Sequence, residues 1–137
     1  YEYIMRDDHW LLSRLDCVWL NYFPELTQTN KLFIRFGRYA RLRLGSIRLD
    51  KKSGASFIII TGMFKDKKIP TEVVDHTIAH ELSHYAHGFS STHPRLHRYP
   101  HEGGIVRREM VSRRMDKLVT AYKKWVREYR HAYRFQS

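Results

Sequence analysis

The pattern His80-Glu81-x-x-His84, inside TIAHELSHYAHG at residues 77–88, constrains this chain more than any other feature. A helical turn takes about 3.6 residues, so histidines four apart share a face, with Cβ atoms about 6 Å from each other. Both imidazoles can then reach one ion at ~2.0–2.1 Å without straining the backbone. Glu81 is rotated by about 100° from His80, so it can stand beside that ion and take a proton without being a ligand. The segment is therefore expected to be a helix carrying a metal and a base. Even with nine histidines in 137 residues, shuffling gives this pattern only about 0.03 times per chain.

The surrounding sequence supplies a frame for such a helix. DDHWLLSRLDCVWLNYF is amphipathic, with Asp7 or Asp8 as N-cap, apolar residues at Trp10, Leu11, Leu15, Val18, Trp19 and Tyr22, and Pro24 as its stop. KLFIRFG and ARLRLGSIRLD alternate apolar and basic residues as half-buried strands do, with Leu42 and Leu44 facing one way. Beyond Gly45 the phase slips to Ile47 and Leu49, which predicts a bulge at Gly45-Ser46. SFIIITG reads as a third strand, apolar enough to be central or covered on both faces. Pro70 and Thr71 open the motif helix and Gly88 closes it. Residues 89–101, with two prolines and three histidines, form a loop. From Gly104 one long helix is expected, with a seam at Val111, Met115, Leu118, Tyr122, Trp125, Tyr129 and Ala132 that packs on its own domain. The sum is a single α+β domain over residues 1–137: a short, about three-stranded sheet on the motif helix, an N-terminal helix and a long C-terminal one.

A catalytic zinc site takes three protein ligands and leaves a position open. Cys17 is the lone cysteine, so the third ligand must come from His, Glu or Asp, and neither a disulfide nor a cysteine zinc ribbon can form within the chain. His87, His93, His97, His101 and Glu102 are candidates. His87 is displaced around the helix from the pair, and His93 and His97 flank Pro94 in a turn-rich stretch. PHEGGIV opens the next helix after a return loop of suitable length, so either His101 or Glu102 could be brought to the ion.

Lys and Arg number 25 against 14 Asp and Glu, a formal charge of +11. Such a surplus favours polyanionic partners, nucleic acid among them. No apolar run approaches the ~20 residues that cross a bilayer, and no signal-peptide pattern opens the chain. A cytoplasmic or nucleoid-associated protein, neither secreted nor membrane-borne, is the expectation.

RFGRYARLRLGSIRL, IPTEVVDHTIAHELSHYAHG and HEGGIVRREM together resemble the SprT-like (Spartan-type) zinc metallopeptidases over residues 32–110. That resemblance implies a zincin-like fold and a zinc metalloendopeptidase, with His80, His84 and His101 as metal ligands and Glu81 as general base. The chain departs from the family pattern where Glu102 replaces a glycine and Ile105 an aromatic. Glu102 is the alternative third ligand, in the manner of gluzincins. The resemblance further implies a protein or peptide substrate, in the Spartan branch one associated with DNA. His97, Tyr99 or Tyr85 could donate to the developing oxyanion, and an extended substrate could pair with the sheet edge. A basic nucleic-acid-binding module with a structural zinc is the rival expectation, and would want a fourth ligand such as His93 or His97. A nuclease of the His-x-x-x-His-x-x-x-x-x-His type fits poorly, because its last position is Ser90.

Overall fold

The structure, a computed structural model, describes the backbone of residues 5–134 and side-chain surroundings as far as residue 129. Helix α1, Asp8–Tyr22, starts where the Asp7 carboxylate accepts from the Trp10 amide and buries Leu11, Leu15 and Val18. Strands β1 (Leu32–Phe36), β2 (Gly45–Leu49) and β3 (Ser56–Ile60) form a sheet of order β1-β3-β2, with β1 parallel and β2 antiparallel to β3. β3 is therefore central, as its apolar run predicts, but its sides differ: Ser56, Ile58 and Ile60 are buried while Phe57 and Ile59 are only partly covered.

Two sequence expectations for the second strand are corrected. Residues 38–44 are not strand, β2 begins at Gly45, and Leu42 is 95% exposed. The phase slip at Gly45 thus marks the entry into β2, not a bulge within a longer strand.

Helix α2, Thr71–Ala86, carries the motif across the inner face of the sheet. Its near-continuous burial, from Val73 to Tyr85, reflects packing by α1, the sheet, and two later helices. Arg14 of α1 makes a two-pronged bond to Asp75 at 2.9 and 2.6 Å, pinning the two helices. The Arg6 guanidinium donates to the carbonyls of Phe64, Asp66 and Ile69 and so fastens the connection that feeds α2. Gly88 ends the helix with φ +83°, a conformation glycine adopts without penalty, and the Gly88 and Phe89 amides donate to the Tyr85 and His84 carbonyls. A Cβ at Gly88 would lie 2.4 Å from the Pro94 carbonyl oxygen, so the returning loop depends on that bare backbone.

The expected single C-terminal helix is two: α3, Ile105–Ser112, and α4, Asp116–Arg134. The break falls at Arg113-Arg114, where Arg114 has φ +59°. Heptad spacing had hidden it, because Met115 and Leu118 are buried and continue the pattern, whereas Val111 is 57% exposed and does not belong to the seam. Trp125 is buried, stacks on Tyr129 and meets Phe64 edge-on. The α4 seam thus packs within the chain, while the Ala132 side chain lies outside the described residues. No helix among the described residues is long and apolar enough to cross a membrane.

Candidate metal centre

The third histidine arrives from the loop before α3. A short 3-10 turn at Glu102–Gly104 follows His101, with Gly103 and Gly104 both at positive φ, and Ile105, Val106 and Met110 then bury α3 against the core. His84 Nε2 lies 3.2 Å from His80 Nε2 and 3.1 Å from His101 Nε2, and the remaining separation is 3.4 Å. Ligands at ~2.0–2.1 Å from a tetrahedral ion stand about 3.3–3.4 Å apart, so the three nitrogens fit the corners of one coordination face. A triangle of hydrogen bonds is a poorer account, since each neutral ring has one acceptor nitrogen and all three turn the same nitrogen inward. His80, His84 and His101 are close enough to hold a metal ion together.

Burial keeps this pair of helix histidines neutral. His80 is lowered to about 4 by desolvation, with His76 and His101 adding to it, and His84 to about 3 by desolvation, His80, His101 and His87. Neutral imidazole is the form that binds metal. His84 Nδ1 is buried and meets no hydrogen-bond partner among the described residues; Phe89 packs edge-on to the ring, centroids 6.3 Å apart.

Glu102, the alternative third ligand, is turned elsewhere. Its Oε1 accepts from the Arg98 amide at 2.9 Å and so braces the loop that delivers His101. His93 Nε2 donates to the Thr27 carbonyl, 2.7 Å away, and His97 packs on the His87 ring. His87 is buried, with Nε2 2.7 Å from Glu109 Oε1. Glu109 also receives Arg113 Nε at 2.7 Å. Burial pushes the Glu109 carboxyl up, but the bonds from His87 and Arg113 outweigh it and hold it below the ordinary range. This clamp joins the end of α2 to α3, and Glu109 was not singled out from sequence because a glutamate in a basic helix carries no local signal.

The histidines border a cleft of about 550 Å³, which is also lined by Leu42–Ile47, Phe89, Pro100 and Tyr122. Glu81 is 5% exposed and borders the same space. Its carboxyl is raised to about 7 by desolvation, against which Arg43 works. Gly45 makes this approach possible: a Cβ there would lie 2.8 Å from Thr77 Cγ2 and 3.1 Å from Glu81 Oε2.

The suggested oxyanion donors are not at this cleft. Tyr85 is fully buried, donating to Asn30 at 2.7 Å and accepting from the Thr29 amide, while Tyr99 and His97 line a separate surface hollow. Tyr122 and His76 line the cleft instead, their rings stacked at 4.0 Å and 7°. Periodicity had assigned Tyr122 to the packing seam, and His76 drew no notice, although its place one turn before His80 was a legible signal. No protein-family model, no curated protein and no solved structure matches this chain.

Proposed function

We propose that the chain is a zinc-dependent metalloendopeptidase of the SprT-like kind, with a zincin-like arrangement of sheet and motif helix. The observation that carries this reading is the convergence of His80, His84 and His101 through Nε2 beside a buried carboxylate, at the wall of a cleft. All-nitrogen ligation suits zinc better than magnesium or calcium, which prefer oxygen donors. Bound there, zinc would act as a Lewis acid and make water a competent nucleophile near neutral pH.

The protein's own residues divide the remaining work. Glu81 takes the proton from the attacking water and returns it to the leaving amine, a role its raised affinity for protons at this buried position favours. Among the described residues β2 pairs only with β3 and is an edge strand of the sheet, and Gly45–Ile47 border the cleft, so an extended peptide can add alongside by main-chain bonds. Such pairing is tolerant of sequence.

The basic balance supports substrates held on nucleic acid, in a reducing compartment of the cytoplasmic or nucleoid type. Lys117, Lys123, Lys124 and Arg127 are exposed along α4. The rival, a nucleic-acid-binding module with a structural zinc, wants a closed fourth ligand, and among the described residues His93 and His97 are engaged elsewhere. Incubating the zinc-loaded protein with an unstructured protein substrate tests the proposal: new peptide termini should form with wild type and not with Glu81→Gln.

A further inference from the structure

The sheet has a second face, opposite α2, that the described residues cover only in part. Side chains alternate along a strand, so burying Ile34, Phe36, Ile58 and Ile60 turns Phe33, Arg35, Phe57 and Ile59 the other way. Strand register sets them in two rows, Phe33-Phe57-Arg48 and Arg35-Ile59-Ser46. Phe33 is 48% exposed, and its ring stacks on Phe57 with centroids 5.3 Å apart and planes at 22°. The Arg48 guanidinium lies over the other part of that row, 4.8 Å from the Phe57 centroid. Neither row contains an acidic residue.

An open sheet face needs no aromatic side chains for stability, since polar residues serve there and keep the surface wet. Two stacked rings framed by arginines suit a ligand that is flat and anionic at once. Bases present flat π-faces, and a guanidinium can extend a stack or meet a phosphate. A duplex keeps its bases paired and stacked inside, whereas a single strand can splay them onto aromatic rings. An acidic protein would match the charge, but would leave the paired ring faces without a partner of their own shape.

We propose that this outer face, centred on Phe33 and Phe57, binds single-stranded nucleic acid by base stacking, with Arg35 and Arg48 meeting its backbone phosphates. The proposal does not rest on the hydrolase reading, and Phe33, Phe57, Arg35 and Arg48 are not among the residues that line the metal-site cleft.

The test is fluorescence anisotropy of the full chain with labelled oligothymidylate and oligouridylate of about 12 nucleotides, and with a duplex of equal length, in about 150 mM salt. Single strands should bind at least about ten-fold tighter than duplex. Phe33→Ala should weaken single-strand binding about ten-fold, leave duplex binding unchanged and keep the salt slope, because stacking involves no counterion release. Arg35→Glu with Arg48→Glu should instead flatten that slope. Phe57→Leu, which keeps apolar volume but not the ring, guards against a folding artefact and should also weaken single-strand binding. Equal DNA and RNA affinity fits stacking alone, and an RNA preference adds a 2′-hydroxyl contact; both support the proposal. Unchanged affinity in both phenylalanine variants, a duplex that binds as tightly, or capture only of an acidic polypeptide would overturn it.

Discussion

Gly45, the first residue of β2, lies so close to the motif helix that a methyl group on it would sit 3.1 Å from Glu81 Oε2 and 2.8 Å from Thr77 Cγ2. The absent side chain is what lets the sheet edge and the proposed base border one cleft. Gly45→Ala should lower peptide hydrolysis about 10²-fold by displacing Glu81, a loss in line with a shift of about 1 Å at a reacting group. The melting temperature should fall modestly, reflecting about 1–2 kcal/mol of overpacking. Adding Thr77→Ser removes the closer clash, so it should recover the stability and leave most of the activity loss in place. Steady-state kinetics with parallel thermal melts on the two variants decide this.

Removing the base should separate chemistry from binding. Glu81→Gln keeps the size of the side chain and cannot accept the proton, so kcat should fall by about 10²–10⁴-fold. Zinc content should stay at the wild-type level, because Glu81 is not among the three converging groups. Retained activity in a variant of verified purity would remove Glu81 from its assigned role.

The clamp behind the site should matter through stability first. Glu109→Ala leaves His87 Nε2, and one bond of Arg113, without an acceptor in a buried setting. A loss of about 1–3 kcal/mol is expected from the unpaired donor. Glu109→Gln keeps an acceptor oxygen and should recover part of it. Because only the Glu102–Gly104 turn separates His101 from α3, zinc affinity should weaken in the alanine variant while Glu81-dependent chemistry in the loaded protein persists; denaturant titration and zinc competition measure the two.

Metal-free protein should be acid-sensitive through His76. Burial lowers this imidazole from 6.5 to about 4. A base form favoured by the fold means the unfolded chain binds more protons between those values, so its contribution is complete above 6.5 and is lost as pH falls toward about 4. His76→Phe keeps a ring against Tyr122 and has no proton to bind. Between pH 7 and pH 5 the wild type should lose about 1–2 kcal/mol more than this variant in urea melts without metal. Parallel pH profiles would contradict the account.

Much of this arrangement could be read from local chemistry, and the misses share a cause. Helix α2 was legible because its motif, N-terminal Pro70 and closing Gly88 all point to one element. The sheet was legible in number and not in extent: Leu42 alternates with arginines as a strand residue would, but lies in an irregular segment that runs along the cleft. The division of α3 from α4 was hidden because a tight turn at Arg114 preserves the spacing of apolar residues on either side. His101 and Glu102 could not be separated by spacing, since either reaches the same place; the Arg98 amide decides between them by holding the carboxylate away. Long-range pairings such as His87 with Glu109 leave no trace in a neighbourhood of ten residues.

The central claim is a three-histidine metal centre with an open position, and zinc content measured together with X-ray absorption at the zinc edge tests it most directly. One zinc per chain is predicted, with three imidazole nitrogens at ~2.0–2.1 Å and a non-protein oxygen completing the shell. His101→Ala should lose the ion and Glu102→Gln should keep it. A chain that takes up no zinc, a shell closed by four protein ligands, or loss of the metal with Glu102→Gln and not with His101→Ala would contradict the account.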